Sequence, residues 1–257
     1  MKVTYIYHSG FVVECETCTL IFDYYTGELP SFNPELPVYF FASHKHADHF
    51  SMNILKLWNT YDKVTYVLAT DIKCNEKYLA RHGISPEVKD HMIHVGKNQT
   101  AQIDDLFVET LKSTDQGVAF FVTVEGKTLY HAGDLNWWYW EEESKVRNDQ
   151  MEKQFKEEIR KVEGRHVTAA FLPLDPRLQK GYAKGFVWFC DHVDADYIFP
   201  MHMWEEYKVV DRFLAEYGEK PYANRVEKVH SKMNPVSIFK CYHYYFIRTV
   251  QFSTVLA

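Results

Sequence analysis

An apolar, strand-like run, "PVYFFAS" (37–43), leads directly into "HKHADHF" (44–50), so a buried strand ends in His44, His46, Asp48 and His49. In an extended segment His44 and His46 alternate with one residue between them, so both side chains point to the same side. Asp48 and His49 follow as the chain turns toward a helix. One pair can thus serve one metal ion while the next pair serves a neighbour. Imidazole nitrogens and carboxylate oxygens suit zinc, iron or manganese. The competing reading is a surface loop rich in histidine, but 13 histidines spread over 257 residues do not produce such a cluster at a strand end by chance.

The surrounding chain reads as short strands first, then strands alternating with helices. "VTYIYHSGFVVE" (3–14) and "TLIFDYY" (19–25) are rich in β-branched and aromatic residues. "CETC" (15–18) falls between them, and with no second C-x-x-C pair it fits the tip of a hairpin better than a zinc ribbon. "SMNILKLWNTY" has helical spacing with Ser51 as N-cap, and "NEKYLARHG" is a short helix closed by Gly83. The strand "VTYVLAT" separates them. "HMIHV", "LFVETLKS", "VAFFVTVEG" and "KTLYHAGD" form an expected meander of four strands. The charged stretch 141–164 predicts a long helix with Met151, Phe155, Ile159 and Val162 on one face and a solvated opposite face. "VTAAFLPLD", a helix around "GFVWFCDHV", the strand "DYIFPMH" and the helix "VVDRFLAEYGE" complete the alternation. No repeat or Gly/Ser/Pro-rich linker divides the chain, which predicts one domain over 1–257 with mixed sheets covered by helices. The tail "SIFKCYHYYFIRTVQF" reads as a terminal strand or an aromatic cover.

Bulk properties bound the function. A net charge of -6 and few basic tracts weigh against a nucleic-acid backbone as the main partner. No apolar run approaches the roughly 18 residues that span a bilayer, and the N-terminus lacks the pattern of a secretory signal. Five cysteines (Cys15, Cys18, Cys74, Cys190, Cys241) without a regular framework suit free thiols in a reducing cytoplasm.

Further ligand-type residues lie far away in sequence, as a folded site requires. "LYHAGD" ends a strand with Asp134, and "YIFPMH" ends another with His202. Both sit where loops leave the sheet, the usual place for chemistry on a rigid scaffold. Asp23 closes "LIFD" and can orient a ligand histidine. His131 is equally readable as such a support or as a core histidine.

The H-x-H-x-D-H element, the later "GD" after a strand and the histidine of "PMH" together resemble the metallo-β-lactamase fold superfamily, over roughly residues 1 to 215. The opening "YHSGFVVE…TLIFD" resembles its first hairpin and early aspartate. The variant "HSGF…HAGD…PMH" is loosely similar to the branch containing ascorbate-6-phosphate lactonase. The resemblance implies an α/β (α+β) fold, a four-layer αββα sandwich with a two-metal site along one edge. It also implies His44 and His46 on the first ion, Asp48, His49 and His202 on the second, and Asp134 between the two. The family usually has a further first-site histidine after the strand corresponding to "LFVETLK". Here the chain reads "KSTDQGVAFF", with Ser113 at that place and Asp115 two residues on, the nearest strong ligand type, so that either Asp115 substitutes as a ligand, or the first site is weaker and only partly occupied, or only the second site is filled.

Two divalent ions, zinc or else manganese or iron, would generate hydroxide at neutral pH for attack on an acyl or phosphoryl centre. Asp48 and Asp134 are the expected catalytic carboxylates, Asp48 as a proton acceptor. The expected activity is hydrolysis of an ester, lactone or related small molecule. A phosphodiesterase or nuclease of the same fold, or a non-catalytic metal- or ligand-binding protein, are the alternatives. A homo-oligomer is compatible with this reading. "NWWYW" after Asp134 places Trp137, Trp138, Tyr139 and Trp140 in a row. No single helix or strand buries all four, so the run reads as a wall or lid of the pocket, with core packing under the long helix as the competing reading.

Overall fold

A computed structural model describes residues 1–232 and the backbone of 234–238; most of the aromatic tail, Cys241 included, lies outside the described residues. The chain opens as an antiparallel meander of β1 (Lys2–Tyr7), β2 (Gly10–Glu14) and β3 (Thr19–Phe22). Cys15 and Cys18 close the β2–β3 hairpin, where Cys15 N–H donates to the Cys18 carbonyl at 2.9 Å. Then β4 (Val38–Ala42), β5 (Val64–Ala69) and β6 (Met92–Val95) are added in parallel, and β13 (Asn234–Ile238) pairs with β1 at the opposite edge. This makes a seven-stranded sheet.

The second sheet has six strands. An antiparallel run of β7 (Thr100–Ile103), β8 (Leu106–Lys112), β9 (Val118–Val124) and β10 (Lys127–His131) is extended in parallel by β11 (His166–Pro173) and β12 (Asp194–Met201). The expected four-strand meander is thus corrected at its start. "MIHV" pairs with β5 in the first sheet, and the meander begins instead with β7, a polar strand ("TAQI") whose weak apolar pattern hid it.

Alternation along β4 shows how the layers form. Tyr39 and Phe41 join the core between the sheets, while Val38, Phe40 and Ala42 face the outer layer. That outer layer is a 3-10 turn at Met52–Asn59, helix α1 (Glu76–Arg81) and a second 3-10 turn at Pro86–His91, anchored by Ile54, Leu55, Leu79 and Val88. Ser51 caps the first turn as expected, its hydroxyl accepting from Asn53 N–H, but the segment winds as 3-10 rather than α. On the other side α2 (Lys145–Arg160), α3 (Lys184–His192) and α4 (Lys208–Tyr217) cover the second sheet through Phe155, Ile159, Phe186, Phe189 and Phe213. The architecture is the αββα sandwich. The long helix is shorter than expected because Ser144, not the preceding acidic run, caps it, accepting from Arg147 N–H.

Candidate metal centre

Topology brings the ligand-type residues together. Strands β3 and β4 run parallel, as do β10, β11 and β12, so the residues after each C-terminal end, Asp23, His44, Asp134, Asp175 and His202, gather at one edge of the sandwich. The β1–β2 turn adds His8. Two glycines let the loops close there. Gly117 (φ 67°) would put a Cβ 1.9 Å from the Ser43 carbonyl, and Gly133 (φ 49°) a Cβ 2.6 Å from that of Ser43. Val118 N–H donates to the Ser43 carbonyl across this contact. Any side chain at either position would push the histidine loop out of place.

Two groups of donor atoms result, each lying within 4.8 Å of one another: His44, His46 and Asp134 in one, His8, Asp48, His49 and His202 in the other. Asp134 stands between them. Its Oδ2 is 3.4 Å from His44 Nε2, while Oδ1 is 3.1 Å from His49 Nε2 and 3.4 Å from His202 Nε2. Every residue of the expected set apart from Asp115 is therefore in one of the two groups. Asp115 lies at the rim, with Oδ2 3.7 Å from His46 Nδ1, outside the set of mutually close donors. Ser113 is buried, and its hydroxyl accepts from Asp115 N–H.

The imidazoles are aimed by carboxylates behind them. Asp23 is fully enclosed. Its Oδ2 accepts from His49 Nδ1 at 2.7 Å, and the same carboxylate takes the Ser43 N–H and hydroxyl, each at 2.7 Å. Ser43 Oγ in turn is 3.0 Å from His44 Nδ1. His49 and His44 therefore present Nε2 toward Asp134. Asp175 does the same for His202, accepting from Nδ1 at 2.9 Å, and is itself clamped by Arg177. The sequence reading missed Asp175, although "LPLD" follows an apolar strand much as "LIFD" does, with the aspartate two residues past the strand end rather than one. His131 turns out to serve both expected purposes. It stacks on Phe22 at 5.1 Å, and it ties the β1–β2 turn to the site by donating Nε2–H to the Ser9 carbonyl.

His8 is the other residue missed. Its imidazole has no exposure, its Nε2 is 3.4 Å from Asp48 Oδ2, and its ring lies 4.0 Å from that of His202. Backbone strain concentrates at the same place: His8, Asp23 and His202 all have positive φ, at 56°, 41° and 62°. Such conformations persist only where the surroundings enforce them, and they cluster at functional sites.

Electrostatics divide the imidazoles into neutral donors and one, His49, that shares a charged pair with Asp134 and must give up a proton to bind an ion. Burial holds the His8 and His44 imidazoles down to about 4, so both are neutral and free to coordinate at neutral pH. Burial would raise Asp134, but His49 and His202 beside it pull its carboxyl well below the usual range. Burial also opposes charge on His49, yet Asp134 and Asp23 on either side push it well above its ordinary value. Five buried atoms here, His8 Nδ1 and Nε2, His49 Nε2, Asp134 Oδ1 and His202 Nε2, have no hydrogen-bond partner. Unpaired buried polar atoms are costly. Their convergence fits a divalent cation.

An open pocket of about 360 Å³ leads to these residues. The aromatic run splits by alternation. Trp138 and Trp140 line the pocket, Trp138 donating its indole N–H to the Asp134 carbonyl at 3.0 Å. Trp137 instead packs toward Phe155 and Trp188, and Tyr139 lies against Gly181. Both readings of the run thus hold, each for part of it. Met151 and Arg177 complete the wall, the Arg177 guanidinium lying 4.5 Å from the Trp204 ring.

Comparison with known proteins bears on the family and the fold. The family model described as the beta-lactamase superfamily domain matches residues 2–147. Two relatives, each called a UPF0173 metal-dependent hydrolase, are similar: one from Desulforamulus reducens, 28% identical over 150 residues, and one from Carboxydothermus hydrogenoformans, 29% identical over 159 residues. The matches cover 52% and 54% of this chain and 62% and 64% of the relatives, less than two thirds of their own length. Among solved structures, Igni18, a metallo hydrolase from Ignicoccus hospitalis, aligns over 92% of this chain and 96% of its own at 16% identity with a TM-score of 0.56. The diiron β-hydroxylase CmlA from Streptomyces venezuelae aligns over 89% of this chain and 52% of its own at 12% identity with a TM-score of 0.59. At such identities these structures speak to the fold alone. The family match spans more than half of the chain and includes the histidine loop and Asp134, and the chain belongs to the metallo-β-lactamase superfamily.

Proposed function

We propose that this chain is a metal-dependent hydrolase acting on an ester, lactone or related small-molecule substrate. The observation that carries the reading is the convergence of buried, partnerless imidazole and carboxylate atoms around Asp134 at the floor of an open pocket. When bound there, divalent ions such as zinc, manganese or iron supply an activated water and polarise a carbonyl. The chain's own residues do the rest. Asp134 faces both donor groups, one oxygen to each. Asp48 is part-exposed to the pocket, and the neighbouring His8 and His49 overcome its burial to hold it well below the usual carboxylate range, which suits a carboxylate facing a cation and makes it a weaker proton acceptor than its position alone suggests. Trp138, Trp140 and Met151 offer apolar walls that shield a small acyl substrate from water, and a pocket of this size suits one.

The free thiols of Cys15, Cys18, Cys74 and Cys190 support a reducing compartment such as the cytoplasm. Among the described residues, no helix is long and apolar enough to cross a membrane. The test is a panel of esters, lactones and phosphodiesters, assayed with metal-stripped and metal-reconstituted protein. Metal-dependent turnover of esters or lactones is the expected result. Turnover confined to phosphodiesters, or none with any metal, would reject the reading.

A further inference from the structure

The two donor groups are not equal, and the inequality runs opposite to a symmetric pair of ions. The group around His49 is buried and preorganised. His8, His49 and His202 are at most 2% exposed, and His49 and His202 are each fixed by a carboxylate behind the ring. His8 has no such support on either nitrogen. The nearest acidic oxygen is Asp48 Oδ2, at 3.4 Å from Nε2, a long and weak contact at best. A fully enclosed imidazole with both nitrogens unsatisfied is destabilising unless something else binds it. The turn that carries it is nevertheless held firmly, through the His8 carbonyl accepting from His202 N–H and the Ser9 carbonyl accepting from His131. The fold thus fixes His8 against His202, aimed at the same point as Asp48 and His49.

The other group is poorer. It has two histidines, and its carboxylate, Asp134, also faces His49 and His202 of the other group. His46 is more than a third exposed, lies between two open pockets, and is hydrogen-bonded to His44 across 3.0 Å. The position where a third histidine would stand is Ser113, whose hydroxyl is spent on a turn.

Resting on the metal-centre reading above, we infer that His8 is a ligand of the ion held by Asp48, His49 and His202, and that this ion is resident while the ion at His44 and His46 is exchangeable. Four protein donors plus one oxygen of Asp134 hold the resident ion, against two histidines and the other oxygen for its neighbour. An extra ligand on one side offsets the missing ligand on the other. The protein then carries one ion after purification and takes up the second only from free metal in solution.

The test is metal content and affinity, independent of any substrate. The full chain is saturated with zinc, dialysed against metal-free buffer without chelator, and analysed for zinc; separate titrations into stripped protein follow by calorimetry. The wild type should retain one ion per chain and titrate in two separated steps. His46→Ala should lose only the weak step. His8→Ala, and His8→Gln as a variant that fills the space, should weaken the tight step by about 10- to 100-fold. Cobalt loaded to one equivalent should also give an altered visible spectrum in both His8 variants, reporting a changed ligand set. Two equally retained ions, or an unchanged tight step and cobalt spectrum in a folded His8→Gln, would overturn the inference while leaving the metal centre standing. No bound metal at all in the wild type would instead overturn the metal-centre reading.

Discussion

Asp23 Oδ2 lies 2.7 Å from His49 Nδ1 with both side chains buried, and this contact turns the Nε2 of His49 onto Asp134, 3.1 Å away. The same carboxylate reaches His44 through Ser43, so one buried acid orients donors in both groups. Asp23→Asn keeps the shape but removes the charge that fixes the tautomer, and should lower metal affinity by about 10- to 100-fold. Asp23→Ala also strands the Ser43 and His49 donors and should cost roughly 3–5 kcal/mol of apo-protein stability. Zinc titration and chemical denaturation of both variants check this.

His49 and Asp134 stand at the junction of the two groups. Elemental analysis of His49→Ala and Asp134→Ala should show clear metal loss relative to the wild type. Stoichiometric metal in both variants would refute the assignment of the site.

Asp115 has its carboxylate beyond the mutually close donors, although it faces His46 at 3.7 Å. Asp115→Ala should leave the tight zinc step intact. If the carboxylate swings in to complete the poorer group, the weak step alone should be affected, and Asp115→His should strengthen it. Identical titration curves for the wild type and Asp115→Ala would make it a turn residue.

The tryptophan run should divide under mutation as it divides in space. Trp137→Ala removes packing against Phe155 and Trp188, and with Lys156 lying 4.6 Å above its ring it should cost about 2–3 kcal/mol of stability with metal content unchanged. Trp140→Ala should leave stability nearly intact and raise KM. Thermal melts and steady-state kinetics separate the two.

His166, at the exposed start of β11, has Asp194 and Asp196 at 2.9 and 3.2 Å. Asp194 first, then Asp196, raises its pKa above the ordinary 6.5. The folded state therefore holds the proton more tightly than the unfolded one. Its contribution is fully present below the ordinary value and is lost as pH rises through the raised folded value. At an exposed site, after solvent screening, it should not exceed about 0.5 kcal/mol. The stability difference between wild type and His166→Gln should be present below the ordinary 6.5 and fade as pH rises above it. A difference that grows with pH would contradict the pairing.

What could be read along the chain was local. Alternating apolar residues marked β4, and ligand chemistry marked His44, His46, Asp48, His49, Asp134 and His202, because side-chain type and strand-end position are properties of a few neighbouring residues. The polar strand β7 and the crossing of the chain between sheets after β6 left little apolar pattern to read. The same limit applies to the site. Asp23 was legible as a supporting carboxylate because it ends an apolar strand, whereas Asp175, two residues beyond the end of β11, acquires its task only when β11 and β12 lie side by side and bring it to His202. His8 sits in an ordinary-looking tight turn. It joins the candidate donor group only because the β1–β2 turn is folded over the ends of strands from the other sheet, where burial removes water as its partner and leaves its nitrogens facing Asp48, His49 and His202. Composition and spacing determine which atoms can bind a cation; the packing of two sheets decides which of them meet, and how dry the meeting place is.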